Sequence, residues 1–450
     1  MGASKCENSH LPFLIAATKF HSDAMNMFDR MPAKSKKAAM AGGGGGAAAD
    51  HISALPDELL QHLLSFLPSR EAVRTCVLSR RWRHQWRRVP AVRISDVDNF
   101  HSVQQLNTFV RHLLLRRERV PLHECELDSF RNGEVARWYR YAVSCRAQVL
   151  RVDTAHSADY SRLPETAIAS DRLTRLEFGG VQLGGSSLDL SGCPKLEALE
   201  MQGCKITVEK ILSPSVKRLS ITRCNFELDS RTRVSAPSLV YLELADIRGW
   251  TPLLGCMASL STAFVRLDDR CEDYCLHSYY GDCGDTVSCG NYCTQFYDVY
   301  ADDCVLLGGL SNVTNLELLT SPEVFIVRKD LLMNPTFSKL KTLLLNVWDA
   351  DANLGPLVYI LRHSPVLEKL TLHLHEEPKA KVEMDESNSP DDELMASKHL
   401  KVVEVRYSKR SVLRRVLRIL NTYGVPPEKI NTERMDLGPF GSYFSFEQTE

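Results

Sequence analysis

No stretch of this 450-residue chain approaches the ~20 consecutive apolar residues that a membrane-spanning helix requires. The apolar run Leu11-Pro12-Phe13-Leu14-Ile15-Ala16-Ala17 is short and has no strongly basic lead, so it does not read as a signal peptide. Neither sign of charge dominates. The 55 Lys+Arg residues stand against 56 Asp+Glu for a net charge of -1, which excludes a global pull toward nucleic acid or an anionic membrane. Catalytic signatures are missing as well: there is no G-x-x-x-x-G-K-[ST], no H-E-x-x-H and no G-x-S-x-G. The glycines at 42–46 form a low-complexity run outside any strand–helix context, so they make no phosphate loop. Without a secretory signal, the 14 cysteines are expected in the reducing nucleus or cytoplasm, mostly as free thiols acting as small apolar residues. None has the activating neighbour of a thioester-forming nucleophile. The expectation is a protein with no catalysis and no cofactor of its own.

What is present begins late in the chain. Residues 1–50, with their glycine run and Ala47-Ala48-Ala49, cannot bury enough surface to offset ordering entropy and are expected to be disordered. Met40 just before this run is a candidate start of translation, with 1–39 as an upstream extension. From His51 to residue 90 the pattern turns helical. Pro56 suits a first helical position, and Asp57 and Glu58 favour the positive end of the helix dipole. Pro68 stops that helix. Ser69 and Ser79 are placed to cap a second helix (about 70–78) and a third (80–88). The first helix is apolar at Leu59, Leu60, Leu63, Leu64, Phe66 and Leu67, more surface than three short helices can cover, which points to a protein partner.

Leu55-Pro56-Asp57-Glu58-Leu59-Leu60, then Leu63-Leu64-Ser65-Phe66-Leu67-Pro68, then Cys76-Val77-Leu78-Ser79-Arg80-Arg81-Trp82-Arg83 resembles the F-box over about 45 residues. The resemblance implies docking of a Skp-type adaptor, and through it a cullin scaffold, by Leu55, Pro56, Leu59, Leu60, Leu63, Leu64, Phe66, Leu67, Val77, Leu78 and Trp82. Arg80, Arg81, Arg83, Arg87 and Arg88 beside Trp82 and Trp86 could suggest nucleic acid. The preferred reading is a wet helix face whose tryptophans anchor it to the core.

After a stretch at 91–144 read as a linker, with a helix over about Val103 to Arg116, one phrase recurs: apolar, two variable, apolar, one variable, apolar. It reads Leu173-Leu176-Phe178, Leu196-Leu199-Met201, Val216-Leu219-Ile221 and Leu239-Leu242-Leu244. It returns as Val313-Leu316-Leu318, Leu340-Leu343-Leu345, Leu367-Leu370-Leu372 and Leu400-Val403-Val405. Most intervals match the leucine-rich repeat, which supplies one strand per turn of a solenoid. The expected fold is therefore α/β: a small helical F-box, then an irregular leucine-rich-repeat solenoid over 145–395 with a parallel strand face. Cys204 and Cys224 sit near the asparagine position of the repeat consensus. Between the fourth and fifth clear repeats there is room for a degenerate repeat around Leu260 and Val265 and for a cysteine-rich insertion at about 271–304. There, Cys271, Cys275, Cys289 and Cys293 have spacing that could hold zinc. No zinc-knuckle residues flank them, so free thiols and no metal are preferred. Residues 376–393 read as an exposed acidic loop. Residues 396–450 give a strand, then an amphipathic helix on Val412, Leu413, Val416, Leu417 and Leu420 whose wet side carries Lys409, Arg410, Arg414, Arg415 and Arg418, similar to the FBD region of plant F-box/leucine-rich-repeat proteins.

These resemblances imply the substrate-recognition subunit of an SCF-type ubiquitin ligase, with an unidentified target protein on the concave strand face and neither nucleic acid nor membrane as partner. The alternative is a non-degradative F-box/leucine-rich-repeat binding scaffold.

Overall fold

The computed structural model describes Ile52 and residues 55–434, apart from 96–99, 129–134, 155–159, 164–167, 228–230, 269, 274–303, 321–323, 325, 349–354 and 376–398. The expectations for 1–50 and Met40, for the acidic loop at 376–393 and for the insertion beyond Asp273 therefore lie outside the described residues. The chain divides into two compact units, Met1–Val89 and Pro90–Glu450.

In the first unit prolines set the elements. Pro56 (φ -54, ψ 153) leads into helix α1, Asp57–Leu64, with Asp57 and Glu58 in its first turn. Pro68 (φ -51, ψ 141) leads into helix α2, Ser69–Arg74. The expected serine caps do not form: Ser69 is the first helical residue, because the fixed backbone of Pro68 already supplies the extended entry. The second helix also tightens early into a single 3-10 turn, Thr75–Val77, and the third segment, Trp82–Arg88, is a 3-10 helix entered from Arg81 in helical geometry. Leu60, Leu64, Ala72, Val73, Trp82 and Trp86 form the core of this unit. The Arg81 guanidinium ties the third segment to the start of α1: it pairs with Asp57 at 2.6 Å and donates to the Leu55 carbonyl. That neighbour holds the Asp57 carboxyl below the usual carboxylate range.

The second unit is a 13-stranded sheet in which each strand pairs in parallel with the next. Its strands are β1 Ala91–Ile94, β2 Glu124–Asp128, β3 Val149–Asp153, β4 Arg175–Gly179, β5 Ala198–Gln202, β6 Arg218–Thr222 and β7 Tyr241–Ala245. They continue as β8 Thr262–Leu267, β9 Asn315–Thr320, β10 Thr342–Trp348, β11 Lys369–His375, β12 Val402–Tyr407 and β13 Ile430–Arg434. One register runs through all of them: Val92, Cys125, Leu150, Leu176, Leu199, Leu219, Leu242, Ala263, Leu316, Leu343, Leu370 and Val403 are successive partners. All twelve are buried, as are the residues two positions on, from Ile94 to Val405. Each large aliphatic chain so buried contributes about 1.5–3 kcal/mol of transfer free energy.

Residues 91–144 are therefore not a linker. They carry β1 and β2, which join the same sheet, because Val89-x-x-Val92-x-Ile94 and Leu122-x-x-Cys125-x-Leu127 already spell the repeat phrase. The helix between them, Val103–Arg116, forms where the sequence places it, with Ser102 accepting from the Gln105 amide at its start. The FBD-like end is not a separate unit either. β12 and β13 extend the sheet, joined by the helix Arg410–Thr422, whose Val412, Leu413, Val416 and Leu420 are buried.

The path from strand to strand depends on its length. Where successive register residues lie 20–23 apart, from Leu176 to Ala263, the return limbs are short strands of a second parallel sheet that includes Val181–Asp189, Lys205–Leu212 and Arg233–Ser235. Where 27 residues separate them, as between Leu316, Leu343 and Leu370, there is room for a helix, and Ile326–Leu332 and Gly355–His363 form. The turn after each of β4 to β7 takes a left-handed residue: Gly180, Gly203, Arg223 and Asp246.

Candidate functional sites

The F-box face is built from what α1 and its neighbours leave uncovered. Of the eleven exposed large apolar side chains among the described residues, seven fall between Ile52 and Leu78, so this short segment presents most of the unburied apolar surface. Leu59 and Leu63, one turn apart on α1, are 48% and 47% exposed, and Phe66, Leu67, Val77 and Leu78 are exposed after it. Exposed apolar side chains concentrated in this way mark interaction surfaces. Leu55 is half-buried and Pro56 exposed at the α1 entry. Leu60, Leu64 and Trp82, expected in the docking set, are instead interior, at 0%, 2% and 7% exposure. The amphipathic period explains this: α1 must give one stripe to its own core before it can offer another outward. Trp86 is also buried, so neither tryptophan can stack on a base.

The second site is the outer face of the sheet. The residue between the two buried positions of each strand lies on the opposite face of the sheet, and across the strands that row reads Arg93, Glu126, Arg151, Glu177, Glu200, Ser220, Glu243, Phe264, Glu317, Leu344, Thr371 and Glu404, of which Glu317, Leu344 and Thr371 are themselves buried. Six of the twelve are glutamates. At the N-terminal end they are neutralised in a ladder. Arg93 pairs with Glu124 and Glu126, Arg151 with Glu124 at 2.9 Å and Glu177 at 2.8 Å, and Arg175 with Glu177 and Glu200. Glu243 accepts from the Ser220 hydroxyl at 2.8 Å, and Glu404 pairs with Lys369 at 2.7 Å. Glu317 differs. It is 1% exposed, and neither carboxylate oxygen has a hydrogen-bond partner. Burial pushes its carboxyl up to about 7, with only Arg266 acting the other way. Sequence reasoning singled out no residue of this row, although the variable position between the two apolar ones was there to be read.

Of the four cysteines with zinc-like spacing, Cys275, Cys289 and Cys293 lie outside the described residues. Cys271 is fully buried, its backbone bridged to Gly249, and burial pushes its thiol well above the ordinary range. The start of the insertion is fixed by the buried pair Arg231–Asp273 at 2.5 Å, with the Thr251 amide also donating to Asp273 at 2.8 Å. The chain returns at Val305, Leu306 and Leu307, whose amides all donate to the buried carboxylate of Asp330. Among the described residues no helix is long and apolar enough to cross a membrane.

A helical unit with an exposed apolar face, followed by a parallel leucine-rich-repeat sheet, defines a class of modular binding proteins. Comparison with known proteins agrees. Residues 52–92 match the F-box domain family. The chain is 30% identical over 360 residues to the meiotic F-box protein MOF of Oryza sativa subsp. japonica, covering 72% of this chain and 71% of that one. It is 28% identical over 357 residues to an F-box/LRR-repeat protein of Arabidopsis thaliana, covering 72% of each. An Arabidopsis F-box/FBD/LRR-repeat protein is 28% identical over 265 residues, 50% of this chain and 60% of that one. The chain belongs to the F-box/LRR-repeat protein family.

Proposed function

We propose that the chain is the non-catalytic substrate-recognition subunit of an SCF-type ubiquitin ligase. Its F-box docks a Skp-type adaptor carried by a cullin scaffold, and its repeat sheet holds the target. A separate conjugating enzyme transfers ubiquitin, and this chain supplies proximity. It works in the nucleus or cytoplasm. The observation that carries this reading is the exposed set Leu59, Leu63, Phe66, Leu67, Val77 and Leu78 in a matched F-box. Removing a well-buried apolar anchor from such an interface costs about 1.5–3 kcal/mol, or roughly one to two decades in affinity.

The test is co-purification of the full chain with a Skp-type adaptor. Phe66→Ala with Leu78→Ala is expected to lower adaptor retention at least about tenfold, and so is Leu55→Ala with Pro56→Ala. Retention equal to wild type in both variants refutes the docking reading. Depleting the chain should also lengthen the half-life of its captured target, and an unchanged half-life speaks for a scaffold that holds the adaptor for another purpose.

A further inference from the structure

We propose that residues 435–450 dock on the outer face of the sheet across β9, β10 and β11 and keep that stretch of the face shut, using the aromatic side chains of Phe440, Tyr443, Phe444 and Phe446. These residues follow β13 and lie outside the described ones. On the reading of the repeats as the target-holding part of the chain, a target meets β4 to β8 first and has to displace this segment to reach further.

The first observation is a change in burial along the sheet. On β8 and β12 buried and half-buried residues alternate, as in a sheet covered on one side only. β9 is buried at every position from Leu316 to Leu319, β10 from Leu343 to Leu345 and β11 from Leu370 to Leu374. Five outer-face residues there, Glu317, Leu319, Leu344, Thr371 and His373, are between 1% and 7% exposed, while Phe264 on one flank and Glu404 on the other are half-buried. Side chains that stand parallel, ~4.8 Å apart, cannot close over one another's ends, so a second layer lies on them. The strand connections do not supply it, because parallel crossovers of one hand run on the side of the register residues. The covered patch is three strands wide, ~10 Å, the width of one chain segment and not of a domain.

The second observation is the chemistry of the patch. It is apolar at Leu319 and Leu344, and Glu317 within it has no partner for either carboxylate oxygen. A lysine or arginine in the cover would pair with that carboxylate, so the cover is apolar and brings no cation there. Residues 435–450 contain no Lys or Arg, four of the sixteen are aromatic, and 437–446 carry no charge at all. The segment 376–398 has eight acidic and three basic residues, charges that an apolar patch would have to desolvate. Both ends of 274–303 are held beside the second sheet, Asp273 by Arg231 and Val305 by Leu254. The third observation is reach. β13 ends at Arg434, paired with Tyr407, at the same end of the strands as Leu319 and His373. Three strand spacings, ~14 Å, separate it from β10, and residues 435–439 span up to ~16 Å. The uncharged, aromatic stretch therefore arrives over the patch.

The test places a reporter thiol under the cover. Thr371→Cys in the full chain is treated with an alkylating reagent and read by peptide mass analysis, with unlabelled Cys204 and Cys224 showing that the fold is intact. The new thiol should label slowly, and removing 435–450 should speed its labelling at least about tenfold, the factor by which docking lowers the open fraction. Changing Phe440, Tyr443, Phe444 and Phe446 together to serine should do the same with the length of the segment kept. A synthetic 435–450 peptide added to the shortened chain should restore protection, and its four-serine version should not. A photo-crosslinker placed at Phe444 of the full chain should join to 315–320, 342–345 or 369–374. If the shortened chain labels at Cys204 or Cys224, the serine variant and the cross-link decide. Rapid labelling in the full chain overturns the inference, and so does protection that survives both changes, which assigns the cover to another segment such as 274–303. Protection that falls on dilution assigns it to a second copy and overturns docking within one chain. Neither adaptor nor target enters the readout, so failure here leaves the ligase reading standing, and lost adaptor retention leaves this inference standing.

Discussion

Glu317 makes a separable demand on stability. Its carboxyl is raised to about 7 by burial, against an ordinary 4.5. Between those values the folded state holds a proton that the unfolded chain releases. The favourable contribution is thus complete below the ordinary value and is lost as pH rises through 7. Above that, a buried charge remains as a penalty of about 3 kcal/mol. The groups facing it are Arg266 from β8 and Tyr241 from β7, while β10 brings Thr342 and Leu344, neither of which titrates in this range. Glu317→Gln should therefore stabilise the protein in urea unfolding at pH 8 and do little at pH 5, and an equal effect at both would count against the assigned cause. Arg231 makes the opposite case. Arg231→Met strands the 0%-exposed Asp273 without its cation and should cost about 3–5 kcal/mol by the same assay. Two buried cysteines hold the repeat corners: the Cys204 thiol donates to the Phe178 carbonyl at 3.3 Å and Cys224 to the Met201 carbonyl at 3.4 Å, each reaching back to the preceding strand.

At the scale of elements, those corners give a labelling test. Cys204 and Cys224 are fully buried, burial pushes the Cys224 thiol well up, and Cys256 is exposed. In native protein an alkylating reagent followed by peptide mass analysis should modify Cys256 within minutes and leave Cys204 and Cys224 untouched until denaturant is added; early labelling of Cys224 would mean the corner opens. The sequence made strands β4 to β12 legible because apolar residues repeat at a fixed phrase, with a degenerate repeat around Val265 where β8, Thr262–Leu267, forms, but it gave no sign of β13. It hid β1 and β2 because 33 residues separate Val92 from Cys125, beyond the usual repeat length, and the amphipathic helix between them looked like a connector. The second sheet was invisible for another reason. Its short strands follow from connection length, and 20–23 residues leave no room for a helix, whereas hydrophobic pattern alone does not report that constraint. In the F-box the apolar residues were legible as a set, but which of them face inward was not. Leu60 and Leu59 are neighbours in sequence with opposite fates, the first buried like Trp82 and Trp86 and the second 48% exposed.

For the whole molecule, the division at Val89/Pro90 sets what should survive truncation. A chain beginning at Pro90 should keep the cooperative urea transition of the repeat sheet while losing adaptor binding completely. Loss of the transition would mean that the units depend on one another for folding. The sheet itself carries a consequence for how such proteins change over time. One register persists across thirteen strands although the connections range from 20 residues to more than 50. Backbone pairing, not loop length, keeps the row of outer side chains aligned. Material can therefore be gained or lost between strands without shifting the order in which Glu243, Phe264, Glu317 and Leu344 stand side by side. The face of the sheet and the length of its connections are free to evolve on separate schedules, and a lineage of these proteins can try new insertions without losing the alignment of its strands.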